Sequence, residues 1–128
     1  MSDAKSAVEQ TAFEALDAAI EGATVYQDVP QDAPLDVVII GDMKSYPIGA
    51  KNDPDRRVDL IIVSMVEAEE RAPLLALQRQ IEAILDGKTF AIEGWSVSFT
   101  FADDDAVLGG DGATYVGTSA FTAFAFRA

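Results

Sequence analysis

The spacing of apolar residues predicts a helix near the start of the chain. Within residues 6–21 apolar side chains recur every three or four positions and form one stripe: Val8, Ala12, Phe13, Leu16, Ala19 and Ile20. Ser6 followed by Glu9 fits a capping box, and Gly22 suits a left-handed C-terminal cap. We therefore predict an amphipathic helix over residues 6–21.

Three strands are predicted next. Residues 24–29 are rich in β-branched and aromatic side chains and end at Pro30, whereas residues 35–41 contain an apolar run typical of a central strand covered on both faces. Residues 42–55 are polar and predict a long loop, a kind of segment that is usually functional or disordered. Residues 57–66 alternate, which directs Val58, Leu60, Ile62 and Ser64 to one face and Asp59, Ile61, Val63 and Met65 to the other.

The second half of the chain predicts one helix and two strands. A helix that opens over residues 67–71, with Pro73 in its first turn and Gly87 at its end, has one apolar face: Leu74, Leu77, Ile81, Ile84 and Leu85. Residues 95–101 alternate strictly, and a Gly/Asp-rich connection over 103–112 leads to a last strand over 113–127. Tyr115 and Phe121 differ in parity from Phe124 and Phe126, which predicts a bulge near 120–123.

The order α-β-β-β-α-β-β predicts an α+β fold. We expect a mostly antiparallel sheet of about four to five strands with both helices packed on one face. No internal repeat, low-complexity tract or linker divides the sequence, so residues 1–128 are expected to form a single domain.

Composition narrows the chemistry. The chain has no histidine and no cysteine, which excludes Ser-His-Asp and Cys-His nucleophiles, the common zinc sites and disulfides. No cofactor and no catalytic residue is predicted. The apolar runs are too short to cross a bilayer, and the polar first ten residues lack a signal peptide, so action in the cytoplasm without a membrane is expected.

The formal net charge of −13 disfavours tight binding to nucleic acid, which requires a basic footprint. Two interpretations stay open. The acidic excess provides solubility, or it forms a surface past which DNA slides without sticking.

The acidic cluster near the C-terminus has the residue type of a metal site. Asp103, Asp105 and Asp111 are the candidate ligands of a small divalent-metal enzyme, which is the rival hypothesis from another functional class. In an EF-hand arrangement, however, Val107 and Leu108 would fall where ligands are needed, and no Glu closes the loop. The pattern favours a solvated hairpin connection, and no metal is predicted.

Two groups of residues are candidates for a protein interface. Four of the nine basic residues fall in or beside the predicted loop: Lys44, Lys51, Arg56 and Arg57. They either pair with Asp42, Asp53 and Asp55 or contact an acidic neighbour such as an identical subunit. Tyr46 lies in the same segment, and Phe124 and Phe126 belong either to the core or to a surface facing a partner subunit.

The whole layout resembles a known family. The N-terminal helix, VYQDVP at 25–30, DAPLDVVIIGD at 32–42, RRVDLIIVSMVE at 56–67, LLALQRQIEAILDG at 74–87 and the long last strand resemble the tail-terminator, or tail-completion, proteins of long-tailed phages, prophages and gene transfer agents. The resemblance covers nearly the full chain.

The resemblance implies a structural protein of the virion tail without enzymatic activity. Such a protein forms a ring, typically a hexamer, that caps the tail tube, stops its polymerisation and presents a surface to the head connector or stopper protein; assembly would take place in the cytoplasm of the bacterial host. DNA would pass through the ring without specific binding. Another neck component, such as a head-closure or connector-binding protein, is the alternative within the same class.

Overall fold

The predicted patterns become two helices and one six-stranded sheet in the computed structural model, which describes residues 3–28, 30–50 and 52–128. The elements are α1 (Ala4–Ala19), β1 (Thr24–Tyr26), β2 (Val37–Pro47), β3 (Arg56–Glu67), α2 (Ala72–Leu85), β4 (Thr89–Ile92), β5 (Trp95–Leu108) and β6 (Thr114–Arg127). The strands lie in the order β1-β2-β3-β6-β5-β4, and all neighbours are antiparallel except β1 and β2. The α+β prediction is confirmed, with six strands instead of four or five.

Both helices cover one face of this sheet. Strict alternation in β3 and β5 turns one set of side chains toward the helices, where they are buried together with the apolar stripes of α1 and α2. The buried set includes Val58, Leu60, Ile62, Val97, Phe99, Phe121, Leu16, Leu74 and Ile81. Within the described part of the chain the other face of the sheet carries no helix, and we call it the open face.

The ends of α1 differ from the prediction. Asp3, not Ser6, is the N-cap: its carboxylate accepts a hydrogen bond from the backbone N–H of Ser6 at 2.7 Å, so Ser6 lies inside the first turn. The helix ends at Ala19 because Ile20 is already extended, and Gly22, with φ of 86°, serves the turn that leads to β1. The predicted capping box and glycine cap were therefore wrong.

The predicted loop over 42–55 was wrong in its first half. Strand β2 continues to Pro47, because a register shift between Ile40 and Met43 lets the polar segment pair with β3. Gly41 lies at this shift, where a Cβ would stand 3.0 Å from the carbonyl oxygen of Ile61. Residues 48–55 alone connect the two strands.

The last two strands also correct the prediction. Strand β5 extends to Leu108, so most of the predicted connection over 103–112 is strand. β6 pairs with β3 in unbroken register, and the bulge lies in β5, between Phe101 and Asp103. Phe121 thus faces the core while Phe124 lies on the open face. β4 escaped prediction because it has only four residues and turns directly into β5 through Glu93 and Gly94, both with positive φ.

The second helix begins later than expected. It opens at Ala72 with Pro73 in its first turn, so residues 67–71 precede it. The predicted apolar face is confirmed, with four of its members buried: Leu74, Leu77, Ile81 and Leu85. Neither described helix, at 16 and 14 residues, has the length and apolar character needed to cross a bilayer.

Candidate functional site

Five of the candidate interface residues lie together on the open face. Strands β2, β3 and β6 are neighbours, and their register places Tyr46 opposite Arg57 and Arg57 opposite Phe124. Lys44 and Phe126 lie two residues along on the same face, because side chains alternate along a strand. We call this group the cation–aromatic cluster: Lys44, Tyr46, Arg57, Phe124 and Phe126.

The ring of Tyr46 lies at the centre of two cationic contacts. The Arg57 guanidinium carbon is 4.3 Å from the ring centroid, and the Lys44 ammonium nitrogen is 5.4 Å from it. Such contacts are attractive because the face of an aromatic ring carries negative potential. They hold two long cationic side chains along the sheet and keep them partly available to a partner.

Arg57 is also held by a carboxylate. Its Nε and Nη2 donate to the two carboxylate oxygens of Asp59 at 3.2 and 3.0 Å, and Thr122 donates to the same carboxylate at 3.4 Å. The hydrogen bonds to Asp59 raise the pKa of Arg57 above its ordinary value. The guanidinium is therefore charged at any physiological pH, and its fork is fixed in orientation.

The aromatic side of the cluster is more exposed. The rings of Phe124 and Phe126 stack at a centroid distance of 6.2 Å with planes 6° apart, and 45% of Phe126 is accessible to solvent. An exposed phenylalanine in a stack is typical of surfaces that bind another protein. The phenylalanines of the last strand thus lie in two environments: Phe121 is in the core, whereas Phe124 and Phe126 lie on the open face.

An apolar surface continues from the cluster across the open face. A depression of about 380 Å³ is lined by two members of the cluster, Lys44 and Tyr46, and by residues of β3 and β6, including Asp59, Ile61, Ala120 and Thr122. Beyond it are half-buried aliphatic side chains on the same face: Ile39, Val63, Met65 and Val116. The helices do not cover this surface.

The two remaining candidates do not join the cluster. Arg56 has the opposite parity and lies on the helix-covered side, where its Nη1 donates to the backbone carbonyls of Asp53 and Asp55 at 2.6 and 2.8 Å. Lys51 lies outside the described residues. The predicted ion pairing with Asp53 and Asp55 is therefore replaced by backbone contacts for Arg56, and Arg57 pairs with Asp59 instead.

The acidic residues of the metal hypothesis do not converge. Asp103 and Asp105 lie on β5, whereas the carboxylate of Asp111 accepts hydrogen bonds from the backbone of Ala113 and Thr114 and from the Thr114 hydroxyl. These bonds lower the pKa of Asp111, the one to Ala113 most strongly. Among the described residues no three acidic side chains are placed to hold a metal ion.

Sequence reasoning did not assign a role to Asp59. The signal was present, because a carboxylate two residues after an arginine in a strand lies on the same face as that arginine. The sequence pattern could not identify Thr122, which also donates a hydrogen bond to the Asp59 carboxylate, because Thr122 is 63 residues away in the chain.

Comparison with known proteins adds a family. The family model described as "Tail completion protein gp17" matches residues 11–125. A chain of the structure titled "Virion of native gene transfer agent (GTA) particle" has the same fold, with a TM-score of 0.74 at 20% sequence identity over 91% of this chain and 90% of that chain. A search of curated proteins finds no match.

Proposed function

This chain belongs to the family of tail completion proteins gp17, a family of structural tail proteins, and we propose that it forms a ring on the finished end of a phage-like tail tube. The ring stops further polymerisation of the tube and provides the surface that joins it to the head. We propose a homo-hexamer in which residues 1–128 of each copy act as a single domain.

The observation that carries this proposal is the cation–aromatic cluster on an uncovered sheet face. It combines an exposed phenylalanine, a tyrosine and two fixed cations, which are residue types favoured at protein interfaces. The rest of the molecule is strongly acidic, so the cluster is attracted to acidic protein surfaces, including those of an identical subunit. The segment over residues 44–57 and the end of β6 thus supply the subunit or tube contact.

The net charge supports passive passage of DNA. Six copies of a chain with net charge −13 carry about −78 in total, and a lumen that shares this charge repels the phosphate backbone. DNA therefore moves through the ring without specific binding.

The side-chain inventory supports a role without catalysis. The chain lacks histidine and cysteine, and the carboxylates of its acidic hairpin are solvent-exposed or engaged in turn hydrogen bonds. We propose three partners: further copies of the chain, the tail tube protein and the connector or stopper protein of the head. The protein would be assembled in the host cytoplasm and reside in the particle tail.

The test uses purified tail tubes that lack a terminal ring. Tubes incubated with the protein are imaged by negative stain, and the fraction of tube ends that carry a ring is counted. We expect rings on one end of most tubes, and we expect tube protein added afterwards not to extend the capped end.

A matched pair of variants localises the contact. Arg57→Glu changes the charge of the cluster, whereas Arg79→Glu makes the same change on the exposed surface of α2. Loss of capping in Arg57→Glu alone supports the proposal. Rings on connector-bearing heads but not on tubes would instead indicate a head-side neck protein, and binding to neither would reject a terminator role.

A further inference from the structure

The two ends of strand β5 carry complementary surfaces. At its first residue, Trp95, the sheet borders a cavity of about 540 Å³. At its last residue, Leu108, the chain enters the acidic β5–β6 hairpin. Fourteen residues in a strand span about 45 Å, so the two surfaces lie at opposite ends of the molecule.

The cavity is basic although the protein is acidic. Three cationic side chains line it, those of Lys5, Arg56 and Arg127, against the one carboxylate of Asp3 in the same lining, together with Ser45 and the buried indole of Trp95. The Arg127 guanidinium carbon lies 5.1 Å from the Trp95 ring centroid. Most of the remaining lining is apolar, so the cavity suits an apolar group that is accompanied by negative charge.

Two carboxylates at this end of the sheet, those of Asp3 and Asp55, already have backbone partners. Asp3 accepts from the backbone N–H of Ser6 at 2.7 Å, and Asp55 accepts from the backbone N–H of Arg127 at 2.7 Å. Neither carboxylate forms a salt bridge with the three cationic groups in the described contacts, although the charge of Lys5 contributes to the lowered pKa of Asp3, after its hydrogen bonds to Ser6. Positive charge at the cavity is therefore only partly balanced from within the chain.

The opposite end has the complementary character. Asp103, Asp104 and Asp105 are exposed on β5, and they are followed by two of the most exposed large apolar residues of the chain, Val107 at 55% and Leu108 at 44%. The hairpin turn is held in one conformation by the carboxylate of Asp111, which accepts three hydrogen bonds. An apolar tip with acidic flanks is thus presented in a fixed shape.

We propose that the hairpin tip of one copy docks into the basic cavity of the next copy. Val107 and Leu108 pack toward Trp95, while the three aspartates face Lys5, Arg56 and Arg127 at the rim. This inference rests on the proposed ring and identifies its subunit contact. A cavity-to-cavity pair would place like charges together, so the contact is head-to-tail, which is the type that closes a ring.

The cavity and the cation–aromatic cluster lie at the same end of the sheet but on opposite faces. Ser45, Arg56 and Arg127 alternate along their strands with Tyr46, Arg57 and Phe126 of the cluster. The two surfaces therefore face different sides of the sheet, and the docking proposal concerns the cavity alone.

The absence of native cysteine allows a direct test by crosslinking. Leu108→Cys places a thiol at the tip, and Ser45→Cys places one in the cavity with little change in size. Rings assembled from a mixture of the two variants are treated with a short bis-maleimide and separated under denaturing conditions. We expect covalent dimers from the mixture, few from either variant alone, and a ladder up to a closed ring from the double variant.

Leu108→Cys mixed with Leu75→Cys is the matched control, because Leu75 is similarly exposed, at 40%, but lies on α2. Rings that form without a crosslink between positions 108 and 45, or that crosslink equally to position 75, overturn the docking proposal and leave the ring intact. Failure to form rings on tubes or in solution overturns both proposals.

Charge exchange provides a second, independent measurement. Asp103→Lys/Asp105→Lys is expected to weaken association with the unmodified protein by about tenfold or more. Mixing that variant with Lys5→Glu/Arg127→Glu is expected to recover most of the lost affinity. Equally weak association with both partner chains, or no weakening with the unmodified protein, would overturn the assignment.

Discussion

Gln78 of the second helix donates a hydrogen bond from its Nε2 to the backbone carbonyl of Asp105, 2.6 Å away. Gln78 is only 4% exposed, and it reaches β5 beyond the point where β4 ceases to pair with that strand. The bond therefore fastens the acidic half of β5, which includes the base of the proposed docking hairpin, to the helix layer.

Gln78→Met removes the donor and keeps the length of the side chain. The carbonyl of Asp105 then loses a partner in a partly buried setting, and we expect the free energy of unfolding to fall by about 1–2 kcal/mol. Urea denaturation followed by circular dichroism measures this. Arg79→Met, on the exposed side of the same helix, is the control and should change the value by less than about 0.5 kcal/mol.

Gly117→Ala tests the packing beneath Gln78. A Cβ at position 117 would clash with Gln78 Nε2 and stand 2.9 Å from Ser64 Oγ, so the buried side chain of Gln78 or the helix that carries it must shift. We expect a loss of about 1–3 kcal/mol in unfolding free energy, typical of overpacking. Gly110→Ala has no atom within 4 Å of the added carbon and should be nearly neutral.

The same contact predicts that these changes are not additive. If Gln78 is what the new methyl group strikes, Gly117→Ala should cost less in a Gln78→Ala background than in the native one. Equal costs in both backgrounds would show that the clash with Gln78 is relieved elsewhere.

Ser119→Ala is expected to leave stability unchanged or to raise it by up to about 1 kcal/mol. Ser119 Oγ is buried and has no hydrogen-bond partner among the described residues, so its hydroxyl loses its hydrogen bonds to water on folding and gains none in the protein that offset them. Thermal and urea unfolding both report the effect. A loss above about 1 kcal/mol would mean that the hydroxyl has a partner, such as a buried water.

Asp3 predicts a pH-dependent contribution from the first helix cap. Its hydrogen bond to the backbone of Ser6 lowers the pKa of Asp3 in the folded protein. The charged cap therefore adds to the free energy of unfolding above the unfolded pKa of about 3.9, and this stabilisation is lost as pH falls through the folded pKa. Asp3→Ala should cost about 1 kcal/mol near neutral pH and less at about pH 2.5.

Asp3→Ser is the control for this cap, because serine caps a helix without titrating. Its stability difference from Asp3→Ala should be the same at both pH values. A difference between wild type and Asp3→Ala that stays constant with pH would show that the carboxylate charge does not stabilise α1.

Phe126→Ser tests the exposed side of the cation–aromatic cluster. Because Phe126 is 45% exposed, the change should alter folding stability little. Binding to tail tubes should weaken by about tenfold if the Phe126 side chain is a hot spot of the interface. Leu75→Ser removes a similarly exposed apolar side chain from α2 and should not affect binding. Cosedimentation with tubes measures both.

Periodicity carried most of the sequence prediction. The alternation in β3 and β5 and the apolar face of α2 follow from the burial of one face, and these predictions were confirmed. The predicted stripe of α1 was confirmed at Val8, Ala12 and Leu16, whereas Ala19 is exposed. Errors arose where no face is strongly apolar. The segment over 42–47 was predicted as a loop because it is polar. It forms a strand because it pairs with β3, and an open sheet face tolerates polar side chains.

The amino-acid sequence by itself determined the α+β class, the apolar faces and the chemistry that is excluded, because these depend on local spacing and residue type. It also singled out Lys44, Tyr46, Arg57, Phe124 and Phe126, but as two unrelated groups. Only the tertiary structure decided that they form one surface and that Arg56 and Arg127 border a separate cavity with Trp95. The physical reason is register: hydrogen bonding between β2, β3 and β6 sets which distant residues become neighbours, and local pattern contains no record of that alignment.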